Sequence, residues 1–202
     1  MYDSDRYRID PALADAFVKS QRHGTLIATS AEGFPQASML PFVKDGDQIE
    51  LHCVQEDPTF AALQLSPRAT FLVSDFLADS RHDWVDAVDA GRATLFFRAI
   101  QFECTAELST EPADVAAALA RLLAAYEPGA EYTPIEDGKF YGSRLRRLAA
   151  IRLTVVRTQA KFKVGPFGPP ELKRHVAARL RERGEPNDAR AADVIEAHLP
   201  RG

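Results

Sequence analysis

The chain holds little of what most catalytic centres are built from. Its 202 residues include two cysteines, two methionines, one tryptophan and five histidines. Cys53 and Cys104 show no metal-ligand spacing, and each falls in a strand pattern, where a buried free thiol is the expected outcome. The histidines are scattered, with no pair spaced for one helical face. No glycine-rich loop opens a helix after a strand to cradle phosphate, and no Gly-x-Ser-x-Gly elbow occurs. No apolar run approaches a membrane span, and Met1-Tyr2-Asp3-Ser4-Asp5 lacks the basic and apolar regions of a secretory signal. A cytoplasmic protein without a metal site is expected.

What is present is β-structure in close succession. Thr25–Thr29, Gln36–Val43, Gln48–Val54, Ala69–Asp75, Thr94–Leu108 and Ile151–Thr158 read as strands, and Asp45-Gly46 reads as the hairpin turn between the second and third. In the third strand Ile49, Leu51 and Cys53 share one face, and Gln48, Glu50 and His52 share the other. A short helix near Thr59–Leu65 interrupts the run. Leu95-Phe96-Phe97 and Ile100-Gln101-Phe102 are apolar on both faces, which predicts burial on both sides and hence a homodimer. Asp10-Pro11 opens one helix and Thr110-Glu111-Pro112 another, whose stripe is Val115, Leu119, Leu122 and Tyr126. Further helices are predicted over Lys139–Leu148, Glu171–Arg183 and Asp188–Leu199. Phe76 to Arg92 reads as a helix or an irregular loop. The expected fold is mainly β with flanking helices (α+β): a small antiparallel barrel over residues 1–164 and a helical C-terminal extension over 165–202.

Charge is unevenly distributed. The net charge is −4, but Arg144 to Arg183 holds twelve Lys or Arg against two Glu, and the remainder is −14. Such a segment either meets a phosphate-bearing ligand or nucleic acid, or docks on the acidic remainder within the chain or across a dimer. No recognition-helix motif accompanies it, so nucleic-acid binding is not expected.

Few residues stand out chemically. His52 lies mid-strand on the polar face, as a surface residue or part of a ligand site. His82 beside Asp83 is an acid–base pair only if the local backbone orients it. Arg98 shares a face with Phe96, Ile100, Phe102 and Cys104, and a charge among apolar side chains requires a partner. A phosphate would serve, as would a carboxylate such as Glu103 or Glu107 across a dimer.

Met1-Tyr2, the strand pair around Gly33, Leu40-Pro41-Phe42, His52 followed by Asp57-Pro58-Thr59-Phe60, and Lys161-Phe162-Lys163-Val164 together resemble the FMN-binding negative transcriptional regulators typified by PaiB. The likeness extends over roughly Met1 to Leu180 and rests on short motifs in order. It implies the split β-barrel of the pyridoxamine-phosphate-oxidase-like flavoproteins, usually dimeric, with FMN between protomers. It places cofactor contacts at Ser38, Met39, His52, Cys53, Val54 and Asp57, with Arg98, Lys161 and Lys163 contributing charge. Met39 stands where the family has a His, and Asp57 stands where it has an Asn. A carboxylate at Asp57 is expected to oppose a phosphate. The implied function is that of an FMN-binding protein, either oxidoreductase-like or regulatory, with no catalytic residue assigned. Two alternatives remain open: a ligand-sensing homodimer that keeps the barrel without FMN, and a nucleic-acid-binding repressor.

Overall fold

The computed structural model describes Tyr7 and residues 9–199; the Met1-Tyr2 element of the family pattern lies outside them. Six α-helices and seven strands follow in the order α1 (Pro11–Lys19), β1 (His23–Thr29), β2 (Pro35–Pro41), β3 (Val43–Asp45), β4 (Gln48–Val54), α2 (Pro58–Leu65), β5 (Arg68–Ser80), β6 (Thr94–Ser109), α3 (Pro112–Tyr126), α4 (Gly142–Leu145), β7 (Leu148–Lys163), α5 (Pro170–Arg183) and α6 (Asp188–Ala197). The strands form one antiparallel sheet in the order β2-β1-β5-β6-β7-β4-β3. The sheet is not closed, and β2 and β3 are its edges. Pro35 and Pro41 at the ends of β2 suit an edge, since neither has an N–H to donate.

The chain divides into two compact units. One comprises residues 11–73 and 100–159; the other comprises 1–10, 74–99 and 160–202. In the first unit the strands bury alternate residues as their sequence demands. Ile49, Leu51 and Cys53 of β4 are buried, as are Leu26, Phe71, Ile151 and Leu153. Gly24 is required where β1 crosses Phe71, because a Cβ there would lie 2.3 Å from the ring. Val115 of α3 and Leu145 of α4 form a smaller core of their own. In the second unit Leu77, Trp84 and Phe96 pack with Val176, Leu180 and Ile195 of the last two helices.

Several expectations are corrected. The β3–β4 hairpin pairs Asp45 with Gln48, so its two loop residues are Gly46-Asp47, one residue later than predicted. Gly46 takes φ +56° while Asp47 keeps a negative φ, the pattern of a turn with glycine first. The predicted strand Gln36–Val43 breaks at Phe42 into β2 and β3. The predicted helix over Lys139–Leu148 shrinks to the single turn of α4, and β7 begins at Leu148. Phe76 to Arg92 first continues β5 to Ser80 and then forms two short 3-10 turns. Within the single chain Phe96, Ile100 and Phe102 are buried and Leu95 is exposed.

Candidate functional site

The residues nominated from sequence fall in both units. Ser38, Met39, His52, Cys53, Val54 and Asp57 belong to the first; Arg98, Lys161 and Lys163 belong to the second. In the first unit, Asp57 caps α2. Its carboxylate accepts the Thr59 N–H at 2.8 Å and the Ser38 hydroxyl at 2.8 and 2.9 Å. Ser38 and the buried Thr59 hydroxyl stand 2.5 Å apart. The carboxylate read from sequence as an obstacle to phosphate is thus engaged by a helix end and a hydroxyl. The Asp-Pro-Thr sequence carries a helix-start signal, which would have revealed this role.

Burial, with Asp57 nearby, pushes the Cys53 thiol up to about 12, and burial pushes Cys104 up to about 11. Both cysteines are free and buried, so neither supplies a thiolate near neutral pH. His52 is half-buried on the opposite face of β4, and burial lowers its pKa. Met39 and Val54 are exposed.

In the second unit, Arg98 has a carboxylate partner that sequence did not nominate. Its Nε and Nη2 donate to Asp75 at 3.1 and 2.6 Å, and Arg190 of α6 donates to the same carboxylate. Glu103, proposed for that role, accepts from Arg157. Lys163 donates to the Thr94 hydroxyl. Burial, and then the charge of Lys161, holds the Lys163 ammonium below its usual pKa. The Lys161 ammonium lies 4.8 Å from the Tyr7 ring centroid and 5.7 Å from that of Phe97. His82 does not pair with Asp83, whose carboxylate is held by Arg81.

The basic segment is largely engaged within each unit. Arg152 joins Arg121 on Glu50, Arg157 meets Glu103, and Arg146 meets Asp137. Arg181 meets Asp193 and Glu196, and Arg183 meets Asp188 and Asp79. The alternative of docking on acidic residues within the chain accounts for these side chains.

Three surface cavities carry charged walls. One of about 410 Å³ is lined by Glu50, Glu107, Asp114, Arg121 and Arg152, and one of about 450 Å³ by Lys19, Arg22, Lys44 and Tyr126. A third of about 560 Å³ is lined by Arg81, Trp84, Arg179 and Arg183. None of these three includes a residue nominated for the cofactor, though Glu107 lines the first and Asp83 the third.

A family model described as "Putative FMN-binding domain" matches residues 1–157. The chain belongs to this family. The part matched to the FMN-binding domain family stops short of Lys161 and Lys163. No curated protein matches the chain. Among solved structures it is similar to an FAD- and heme-binding protein from Mycobacterium smegmatis, at 18% identity and TM-score 0.64, covering 86% of this chain and 80% of that one. It is similar to the flavocytochrome Anf3 from Azotobacter vinelandii at 18% identity and TM-score 0.63, covering 84% and 79%. A conserved hypothetical protein from Mycobacterium tuberculosis gives 19% identity and TM-score 0.57, covering 81% and 91%. At these identities the likeness shows the fold, the split barrel of flavin-binding proteins. Among the described residues no helix is long and apolar enough to cross a membrane, and no group of ligating side chains is placed to hold a metal.

Proposed function

We propose that this member of the FMN-binding domain family is a PaiB-like cytoplasmic homodimer that binds FMN, with residues 1–164 as its split-barrel domain and 165–202 as an extension. The observation that carries the reading is Lys163, which donates to the Thr94 hydroxyl and lies within reach of the charge of Lys161. Burial first, and then repulsion from Lys161, imposes a cost on the charged Lys163 and holds its pKa below the usual value. A phosphate monoester would relieve it, with the Thr94 hydroxyl as a neutral neighbour. When bound, FMN supplies hydride and electron transfer at its ring. The chain's own part is to hold the phosphate with Lys161 and Lys163 and to limit water at the ring with Phe97 and Tyr7.

A second reading, a regulatory barrel that has lost the flavin, is favoured by Arg98, whose guanidinium is engaged by Asp75. The visible spectrum of the purified protein separates the two, supported by fluorescence titration with FMN. A flavin band, or saturable quenching weakened by Lys163→Gln, supports the first. A colourless protein that quenches no FMN supports the second.

A further inference from the structure

Within the first unit, the cavity of about 450 Å³ is walled by the end of α1, the connection 20–22, the corner at 42–44 and the end of α3. Tyr126 fixes that geometry. Its hydroxyl accepts the Phe42 N–H at 3.1 Å and donates to the Arg22 and Phe42 carbonyls. In return the Arg22 Nη1 donates to the Tyr126 carbonyl at 3.0 Å, and the guanidinium lies 4.9 Å from the Tyr126 ring centroid. Lys19, Arg22 and Lys44 line the cavity, and among the described residues no carboxylate does. Asp15 stands beside it, 2.8 Å from the Lys19 ammonium and 3.8 Å from that of Lys44. Lys44 also donates to the Gly46 carbonyl, and Lys19 feels the charge of Asp45. Among the described residues, Arg22 meets a carbonyl and a ring but no carboxylate. The end of α3 explains why a cation sits at Tyr126, yet a helix end carries only about half a unit charge.

We propose that this cavity binds a small organic anion, its carboxylate or phosphate held by Arg22, Lys19 and Lys44 and its apolar body lying against Val43 and Tyr126. Two lysines share Asp15 and the third cation has no carboxylate, so an acid group adds compensation without displacing an existing pair. Arg22 is already held by a carbonyl and a ring, and the Lys44 side chain is only 14% exposed. Little side-chain freedom remains to be lost when these groups meet a ligand. Val43 and Tyr126 are half-buried at the wall. The volume is in the range of small-molecule sites. No wall of the cavity is a residue nominated for the cofactor, so the site does not depend on the flavin reading.

Calorimetric titration of benzoate, phenyl phosphate and uncharged benzyl alcohol into the full-length protein tests the site, with Arg22→Gln and Asp15→Asn alongside. Arg22 is exposed and the Asp15 side chain is 42% exposed, so neither substitution empties the core. At least one of the two anions is expected to bind, the tighter one identifying the acid group, and benzyl alcohol is not. Arg22→Gln should weaken the anion about tenfold, the loss of one charge-assisted contact at a partly open site. Asp15→Asn should tighten it about threefold, because it releases Lys19 and Lys44 from their shared carboxylate. Cations that served only to pair with Asp15 and the helix ends would give no such gain. Binding of neither anion overturns the proposal, as does binding that neither substitution changes. If FMN binds the wild type, Arg22→Gln should bind it equally well. Loss of FMN binding in that variant would make this cavity the cofactor's own site and overturn a separate one.

Discussion

Arg98 and Asp75 meet side-on across β6 and β5, two nitrogens to two oxygens, with 14% and 10% of their side chains exposed. Arg190 reaches the same carboxylate from α6 and remains 44% exposed. One shielded carboxylate thus serves two guanidinium groups, and this asymmetry orders the effects of mutation. Asp75→Ala removes the carboxylate that both cations share, whereas Arg98→Ala leaves Asp75 with Arg190. Urea unfolding should show Asp75→Ala as the more damaging change, by about 2–4 kcal/mol relative to wild type, a little below the range for fully buried pairs. Equal losses would mean that Arg190 contributes nothing.

Asp188, 1% exposed, accepts two bonds from Arg183 and one from the Glu185 N–H. The Arg183 bond lowers its pKa from 3.8, against the opposing effect of burial. A carboxylate depressed on folding stabilises the protein above its unfolded pKa, and that stability is lost as pH falls through the folded value. The urea midpoint should therefore drop on acidification below about pH 4. Asp188→Asn should start lower at neutral pH and show a shallower acid decline. Parallel pH profiles would remove Asp188 from the acid transition.

Asp57 should behave as a helix cap. Asp57→Ala is expected to cost about 1 kcal/mol, and Asp57→Asn less, because asparagine caps nearly as well. Thermal unfolding of the two variants checks this. An equal loss in both would mean that the carboxylate charge matters more than the cap.

Cys53 and Cys104, with thiols raised to about 12 and 11, should resist Ellman's reagent in the native protein at mildly alkaline pH. Both should react at once in guanidinium chloride. Rapid native labelling of one thiol would show that its strand opens readily.

The Arg144–Arg183 segment should not bind random duplex DNA at physiological salt, since its arginines are largely engaged by carboxylates. A submicromolar complex that weakens steeply with salt would restore the nucleic-acid reading.

Some of this was legible in the chain and some was not. The two faces of β4 were read correctly because burial alternates along a single strand, and neighbouring residues alone decide it. The helices opening at Pro11 and Pro112 followed from local signals of the same kind. The shift of the hairpin to Gly46-Asp47 was missed because two adjacent residue pairs suit a tight turn, and cross-strand pairing chooses between them. The need of Arg98 for a partner was evident from its apolar face, but the partner was not. Asp75 lies 23 residues away in sequence, and Arg190 lies 115 residues beyond Asp75. Periodicity is a property of a segment and is written in it. A charge pair across strands or helices depends on which segments the folded core brings side by side, and only the tertiary structure decides that.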